Sequence, residues 1–236
     1  MNRLVHPILK GSLRASGWIR YGRKYDAPLR PDRLLWLDPS EIVHRPVNTP
    51  QNATIPPTLI VGGDWDEDLD PITDDIVYET FHRRFVDGEP WGETGYVEFL
   101  MTDRSEHGGL TRSEAERRCE RIDKLYRFID EDGYRTQSQL EEAESLIEEL
   151  THSRRPPVYR EVSVDVTRDG EFVWHAGMHR LVIAKLVDID RLPVRVNIRH
   201  ELWQEVRENA FQSNDAGEYR DHPDICYLID EIGSGQ

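Results

Sequence analysis

The sequence contains few lysines. Only four of its 30 basic residues are lysines, and the other 26 are arginines. Acidic residues number 45, which gives a formal net charge of −15. Such an acid excess is typical of a salt-adapted surface, because at about 1 M salt the Debye length falls to about 3 Å and self-repulsion is screened. An ordinary acidic protein is the alternative, and in either case the charge disfavours non-specific DNA binding by the whole surface.

Cysteines and long apolar runs are also scarce. Cys119 and Cys226 are the only cysteines, and both lie in apolar contexts, so a disulfide framework is excluded and both are expected in the core. No apolar run approaches the length of a membrane span. The apolar patch at residues 4–9 is interrupted by His6 and Pro7 and is too short for a signal peptide. The sequence therefore predicts a cytoplasmic protein with no transmembrane segment.

The charge is unevenly distributed along the chain. Residues 1–33 carry eight basic residues against Asp26 and Asp32, and form a predicted basic N-terminal arm. This arm could contact nucleic acid, anionic lipid or the acidic body of its own protein. Residues 34–210 are predicted to form the folded domain, and residues 211–236 a C-terminal tail or helix.

Hydrophobic periodicity predicts an α+β fold. Apolar residues recur at helical spacing in 74–85, 111–132, 138–150, 181–187 and 201–211. Thr111 and Glu114 have the spacing of a capping box, and Gly133 marks a helix end. The signal alternates with period two in 162–166, 172–174 and 194–198, and an Asp-Gly turn joins the first two of these strands.

Gly177-Met178-His179-Arg180 is the most informative feature of the sequence. It lies between the hairpin and a short apolar helix, so it marks the start of that helix. The first amides of a helix have no partner within it and favour anions, and the arginine fork matches phosphate oxygens. A phosphate group is therefore the expected ligand. A structural salt bridge of Arg180 and a core role for His179 are the alternatives.

Residues 161–199 resemble the ParB/sulfiredoxin (ParB N-terminal-like) family. The resemblance rests on the order of strand, Asp-Gly turn, strand, Gly177-x-His179-Arg180, helix and the Pro-Val-x-Val segment 193–196. It implies a small mixed sheet with flanking helices, of a stand-alone haloarchaeal type. Residues 46–110 have no counterpart in the family and are expected to be a helical or loop insertion that covers or shapes the site.

The resemblance implies that Gly177, Met178, His179 and Arg180 bind a nucleotide, either ATP, ADP or CTP, with Mg²⁺ as a further cofactor. Phosphotransferase or nucleotidase activity toward an unknown small-molecule acceptor is then expected. The alternatives are a DNA-associated module or ParB-like nuclease using the basic arm, and a non-catalytic interaction protein. Met178 occupies the place of the reactive cysteine of sulfiredoxins, which excludes thiolate chemistry. Too few residues follow Arg199 for the DNA-binding domain of the partitioning members.

His179 and Glu41 are the catalytic candidates. His179 is a candidate phosphate donor or proton shuttle. The resemblance to the serine-kinase branch implies a glutamate base from the N-terminal part of the fold, and Glu41 is the nearest by chain order. His175 is a candidate supporting residue. The alternating acids in 64–70 lack the glycine and glutamate of a calcium loop, so solvated surface is expected there and no metal ligand is assigned.

Overall fold

A computed structural model describes residues 24–48, 59–103, 109–142 and 157–234. The first 23 residues of the predicted basic arm and most of the predicted helix 138–150 lie outside these ranges. Within the described ranges, no helix has both the length and the apolar character needed to cross a membrane.

The main sheet has five strands and mixed directions. Its strands are β1 (Leu35–Leu37), β3 (Leu59–Val61), β5 (Val162–Val166), β6 (Phe172–Ala176) and β7 (Leu192–His200). The order is β1-β7-β5-β6, with β3 also paired to β7; β5 and β3 run parallel to β7, and β1 runs antiparallel to it. A separate two-stranded ribbon joins β2 (His44–Pro46) and β4 (Leu69–Pro71). The predicted α+β class with a small mixed sheet is therefore confirmed.

Eight helices are described: α1 (Ile76–Phe85), α2 (Trp91–Thr94), α3 (Tyr96–Leu100), α4 (Arg112–Asp132), α5 (Gln137–Glu142), α6 (Met178–Leu186), α7 (Glu201–Ser213) and α8 (Pro223–Ser234). The predicted capping box is present on α4: Thr111 and Glu114 satisfy each other's amides, and the amide of Gly133 closes the helix on Ile129. Cys119 is buried on the inner face of α4, and burial raises the pKa of its thiol to about 12. Cys119 is therefore a core residue, as the sequence predicted, whereas Cys226 is half-buried and the same prediction is wrong for it.

The sheet is buried on both faces at its centre. All nine residues of β7 and all five of β5 are buried, as is usual for strands covered on both sides. Val164 and Val196 face the main core with α6, whereas Val173 and Ile198 join a smaller cluster with Trp65. This arrangement places α6 on the main core face of the sheet.

The predicted insertion 46–110 is partly integrated into the domain. Its residues Leu59–Val61 form β3 and pair with β7, so this segment belongs to the main sheet. Helix α1 packs beside α6, Tyr96 of α3 contacts His179, and Phe81 and Tyr96 are fully buried. Helices α1 and α3 of this segment therefore lie against the helix that carries the predicted site.

The acidic run 64–70 was expected to be solvated surface, and for Asp66 that expectation is wrong. Asp66 is buried, and its carboxylate accepts hydrogen bonds from the backbone amide of Arg168 at 2.7 Å and from its guanidinium at 2.7 and 3.0 Å. Arg168 also contacts Asp64 and Glu67. The run therefore ties its loop to the turn between β5 and β6.

The C-terminal segment is anchored by a buried charge network. Asp224 accepts hydrogen bonds from Arg199 at 2.8 Å and from the indole of Trp203 at 3.0 Å, and its carboxylate lies 3.2 Å from Arg207. Asp224 and Arg207 have no exposed surface. The predicted boundary at residue 210 falls within α7. Helix α8 contacts β1, and its residues Ile225 and Leu228 belong to the main core.

Residues 24–33 of the predicted arm pack against the protein body. The amides of Asp26 and Ala27 donate to the carboxylate of Glu208, and the guanidinium of Arg33 lies 4.5 Å from the ring centre of Tyr227. This part of the arm therefore contacts the body of its own protein, which was one of the three expected contacts.

Candidate functional site

The start of α6 is a glycine turn in close contact with β5. Gly177 has φ 89° and ψ 34°, and a Cβ atom placed there would lie 3.1 Å from the Cα atom of Val162. A side chain is therefore disfavoured by conformation and by space. The carbonyl of Gly177 accepts the amides of Arg180 and Leu181 at 3.1 and 3.2 Å. The amides of Met178 and His179 come before these two, at the very start of the helix.

Met178 contributes backbone rather than side-chain chemistry. Its side chain is buried in the main core, where it joins Leu181 and Val182. Only its amide can therefore serve a ligand at this helix start. The burial also gives the helix start a fixed attachment to the sheet.

Arg180 extends from the same turn toward a buried carboxylate. Its Nη1 atom lies 3.8 Å from Oε2 of Glu161 and has no hydrogen-bond partner within the described ranges, although the Nη1 atom is buried. The arginine side chain keeps 22% of its surface exposed, against 1% for Glu161. The guanidinium therefore pairs with Glu161 through charge, and its Nη1 atom donates no hydrogen bond to the described part of the chain.

Glu161 is held by other donors. It accepts the amide of Gln137 at 2.6 Å and the hydroxyl of Tyr134 at 3.5 Å. Burial raises the pKa of Glu161 above its usual range, with the Gln137 amide and the Arg180 charge acting against the rise. Burial likewise raises the pKa of Tyr134 to about 12. Perturbed titratable groups of this kind concentrate at functional sites, although structural ion pairs produce them as well.

His179 faces the helical layer from the predicted insertion. Its Nε2 atom lies 2.6 Å from the hydroxyl of Tyr96, and its ring stacks on Phe81 with a centroid distance of 5.4 Å. Trp91 also packs edge-on against Phe81. The Nε2 atom of the predicted catalytic histidine is therefore engaged in this aromatic cluster.

Glu41 lies in a different part of the structure from the glycine turn. It ends the 3-10 helix Pro39–Glu41, and its side chain is exposed. The neighbouring Ser40 lines a cleft with Lys185, near the C-terminal end of α6. Lys185 follows Met178 by seven residues, or about 10 Å along a helix, so Glu41 is not brought together with Gly177 and Arg180.

A chain of hydrogen bonds fixes His175 immediately before the turn. Its Nδ1 atom lies 2.8 Å from the carboxylate of Asp165, and Asn197 lies 3.0 Å from its Nε2 atom. The guanidinium of Arg195 donates to Asn197 at 3.0 Å, and the amide of Ile198 donates to Asp165 at 3.0 Å. Both ring nitrogens of His175 are therefore engaged, and the network stiffens the end of β6.

Ser163 lies at the start of this polar face. It is paired in register with Ala176 on one side and with Arg195 on the other. Its hydroxyl is buried and has no hydrogen-bond partner within the described ranges. Together with Arg180, it places two unsatisfied polar groups close to the glycine turn. In the same described ranges, no three or more acidic, histidine or cysteine side chains form a group that could hold a metal ion.

The sequence indicated the turn itself but missed its supporting residues. Glu161 and Tyr134 stand in no recognisable motif, and Tyr134 lies 27 residues from Glu161. Alternation in β5, which puts Ser163 and Asp165 on one face, was the only signal that could have grouped those two. Comparison with family models, curated proteins and solved structures finds no match to this chain.

Proposed function

We propose that this chain is a ParB/sulfiredoxin-like protein that binds the phosphate groups of a nucleotide, ATP, ADP or CTP, at the start of α6. The phosphate oxygens accept hydrogen bonds from the amides of Met178 and His179 and from the guanidinium of Arg180. The observation that carries the proposal is the buried Nη1 atom of Arg180, which has no hydrogen-bond partner in the described part of the chain. An unmet donor costs free energy that an anion would recover.

The backbone geometry at Gly177 supports a phosphate site at the start of α6. A residue in the left-handed region with no space for a Cβ atom brings the helix start against the sheet. Close backbone approach of this kind, followed by a helix N-terminus, is a recurrent way to bind phosphate. The rigid network behind it, from Asp165 through His175 to Asn197, keeps the turn in place before the ligand arrives.

Phosphoryl transfer to a small-molecule acceptor, or hydrolysis, is the reaction class that suits such a site. These reactions depend on positioning and on charge stabilisation, and the glycine turn and Arg180 supply both. Mg²⁺ enters the proposal with the nucleotide, since this ion binds substrate phosphates together with only one or two carboxylates.

Calorimetric titration with ATP, ADP and CTP at high salt tests the proposal. The wild type is expected to bind at least one nucleotide, and Arg180→Ala to lose about 10- to 100-fold in affinity, the effect of one charged hydrogen bond of about 1.5–3 kcal/mol. Arg112→Ala is the matched control, because Arg112 is exposed and its ion pair with Glu98, at 3.3 Å, lies on the surface. Circular dichroism verifies that each variant is folded.

Two results would contradict the proposal. One is the absence of nucleotide binding by the wild type, which would favour the non-catalytic alternative. The other is equal affinity of Arg180→Ala and Arg112→Ala. Binding of duplex DNA that weakens steeply with salt and is lost on deletion of residues 1–33 would favour the DNA-associated alternative.

A further inference from the structure

A cleft of about 330 Å³ lies at the opposite end of α6 from the glycine turn. The 3-10 helix that begins at Pro39 forms one side of it, and the last turn of α6 forms the other. Its volume lies within the range of about 300–1,000 Å³ that is typical of small-molecule sites. Because about 10 Å of helix separates it from Met178, this cleft is distinct from the proposed phosphate site.

Lys185 is the basic residue of this cleft. The chain offers three lysines in its described ranges, and Lys24 lies over the ring of Tyr25 at 4.9 Å while Lys124 has an interaction of its own. Lys185 makes no hydrogen bond or close ion pair within those ranges, and it is half-buried. Burial lowers the pKa of Lys185, with the charge of Asp38 acting against it.

The remaining walls combine apolar surface with hydroxyl groups. Ile72 and Ile189 contribute apolar surface, and Ser40, Thr73 and Tyr78 contribute hydroxyls. Asp38 also lines the cleft, and its carboxylate accepts the amide of Ser40 at 2.7 Å. A small molecule with hydroxyl groups would therefore find partners around an amine that has no hydrogen-bond partner within residues 24–48, 59–103, 109–142 and 157–234.

We propose that Lys185 is a nucleophilic amine that forms an imine with a small hydroxylated aldehyde or ketone in this cleft. A half-buried lysine in a partly apolar cleft has the setting in which lysines form Schiff bases. The uncharged Nζ atom adds to the carbonyl carbon, giving a carbinolamine. The two amine hydrogens then leave with the carbonyl oxygen as water, and the C=N bond remains. No oxidant or further reactant is required.

Reductive trapping tests this proposal. The full chain is incubated with glycolaldehyde and sodium cyanoborohydride, whose hydride converts the imine to a stable secondary amine, and peptide mass spectrometry locates the adduct. With only four lysines in the chain, each site can be quantified separately. Lys185 is expected to be labelled first. Lys185→Arg should lose that adduct, and Lys124→Arg should keep it.

Labelling of Lys124 as fast as Lys185 in the wild type would overturn the proposal. This comparison is internal to one folded protein, so it does not depend on whether a variant folds. Trapping in the presence of saturating nucleotide separates the two sites: continued labelling of Lys185 is expected, and the result stands whether or not nucleotide binds at Gly177 and Arg180.

Discussion

The Nε2 atom of His179 lies 2.6 Å from the hydroxyl of Tyr96, which joins the predicted site to a helical segment 83 residues earlier in the chain. Tyr96 is buried, and a buried hydroxyl needs a hydrogen-bond partner within the protein; His179 is one such partner. The aromatic cluster around Phe81 thereby determines how the histidine is oriented at the start of α6.

Tyr96→Phe should lower the free energy of unfolding by about 1 kcal/mol, the net value of a typical hydrogen bond. Urea denaturation followed by fluorescence measures this change. Tyr78→Phe is a suitable control because the Tyr78 side chain is less buried and lines an open cleft. An equal effect of the two substitutions would mean that the bond to His179 contributes nothing of its own.

Gly177→Ala should destabilise the protein more than Gly88→Ala does. Both glycines have positive φ, 89° and 78°, so each substitution incurs the cost of a left-handed alanine, about 1–2 kcal/mol. Only Gly177 has backbone within reach of the added Cβ atom, at 3.1 Å, whereas nothing lies within 4 Å at Gly88. Thermal melts of the two variants give the difference directly; similar melting temperatures would show that the turn can open without penalty.

Glu161→Gln should tighten nucleotide binding in the proposed site. The substitution removes a negative charge 3.8 Å from the Arg180 guanidinium and keeps an oxygen to accept the amide of Gln137. Calorimetry on the variant measures the change in affinity. Weaker binding would instead mean that the carboxylate positions the guanidinium.

The same variant should alter how stability depends on pH. Because the folded-state pKa of Glu161 is raised above 4.5, the folded state holds this proton at pH values where the unfolded chain has lost it. The contribution of Glu161 to the free energy of unfolding is therefore largest below pH 4.5, its usual pKa, and declines as the pH rises through the folded-state pKa. Denaturation from about pH 4 to about pH 7 should show a smaller decline for Glu161→Gln than for the wild type. Parallel curves would refute the role of this carboxyl.

Asp224→Asn should be among the most destabilising single changes, at about 3–5 kcal/mol, because it leaves Arg199 and Arg207 buried without a balancing charge. The two arginines hold the pKa of Asp224 below its usual range despite burial. The stability from this carboxylate is therefore complete above pH 3.8, the usual pKa of an aspartate, and is lost as the pH falls further. Glu98→Gln, at an exposed pair, should cost at most about 1 kcal/mol.

Local signals in the sequence predicted the local structure. The capping box at Thr111, the terminating Gly133 and the helix start at Gly177 all depend on neighbours within a few residues. Long-range partners could not be inferred this way. The pairing of β3 with β7 and the contact between Tyr96 and His179 arise from tertiary packing, which no local pattern encodes.

The same contrast between local signals and long-range contacts holds for the candidate site. Arg180 was identifiable because it follows a glycine turn in a short motif, whereas Glu161 became visible only through its distance to that arginine. The burial of Asp66 was not predicted for the same reason, since its partner Arg168 lies 102 residues further along the chain. Charge composition predicts an acidic surface but does not indicate which carboxylates are buried.

The crystal structure of the protein soaked with the nucleotide that binds most tightly tests the central claim most directly. The account predicts phosphate oxygens within hydrogen-bond distance of the amides of Met178 and His179 and of a guanidinium nitrogen of Arg180. A nucleotide bound elsewhere, with Arg180 still directed only at Glu161, would contradict it.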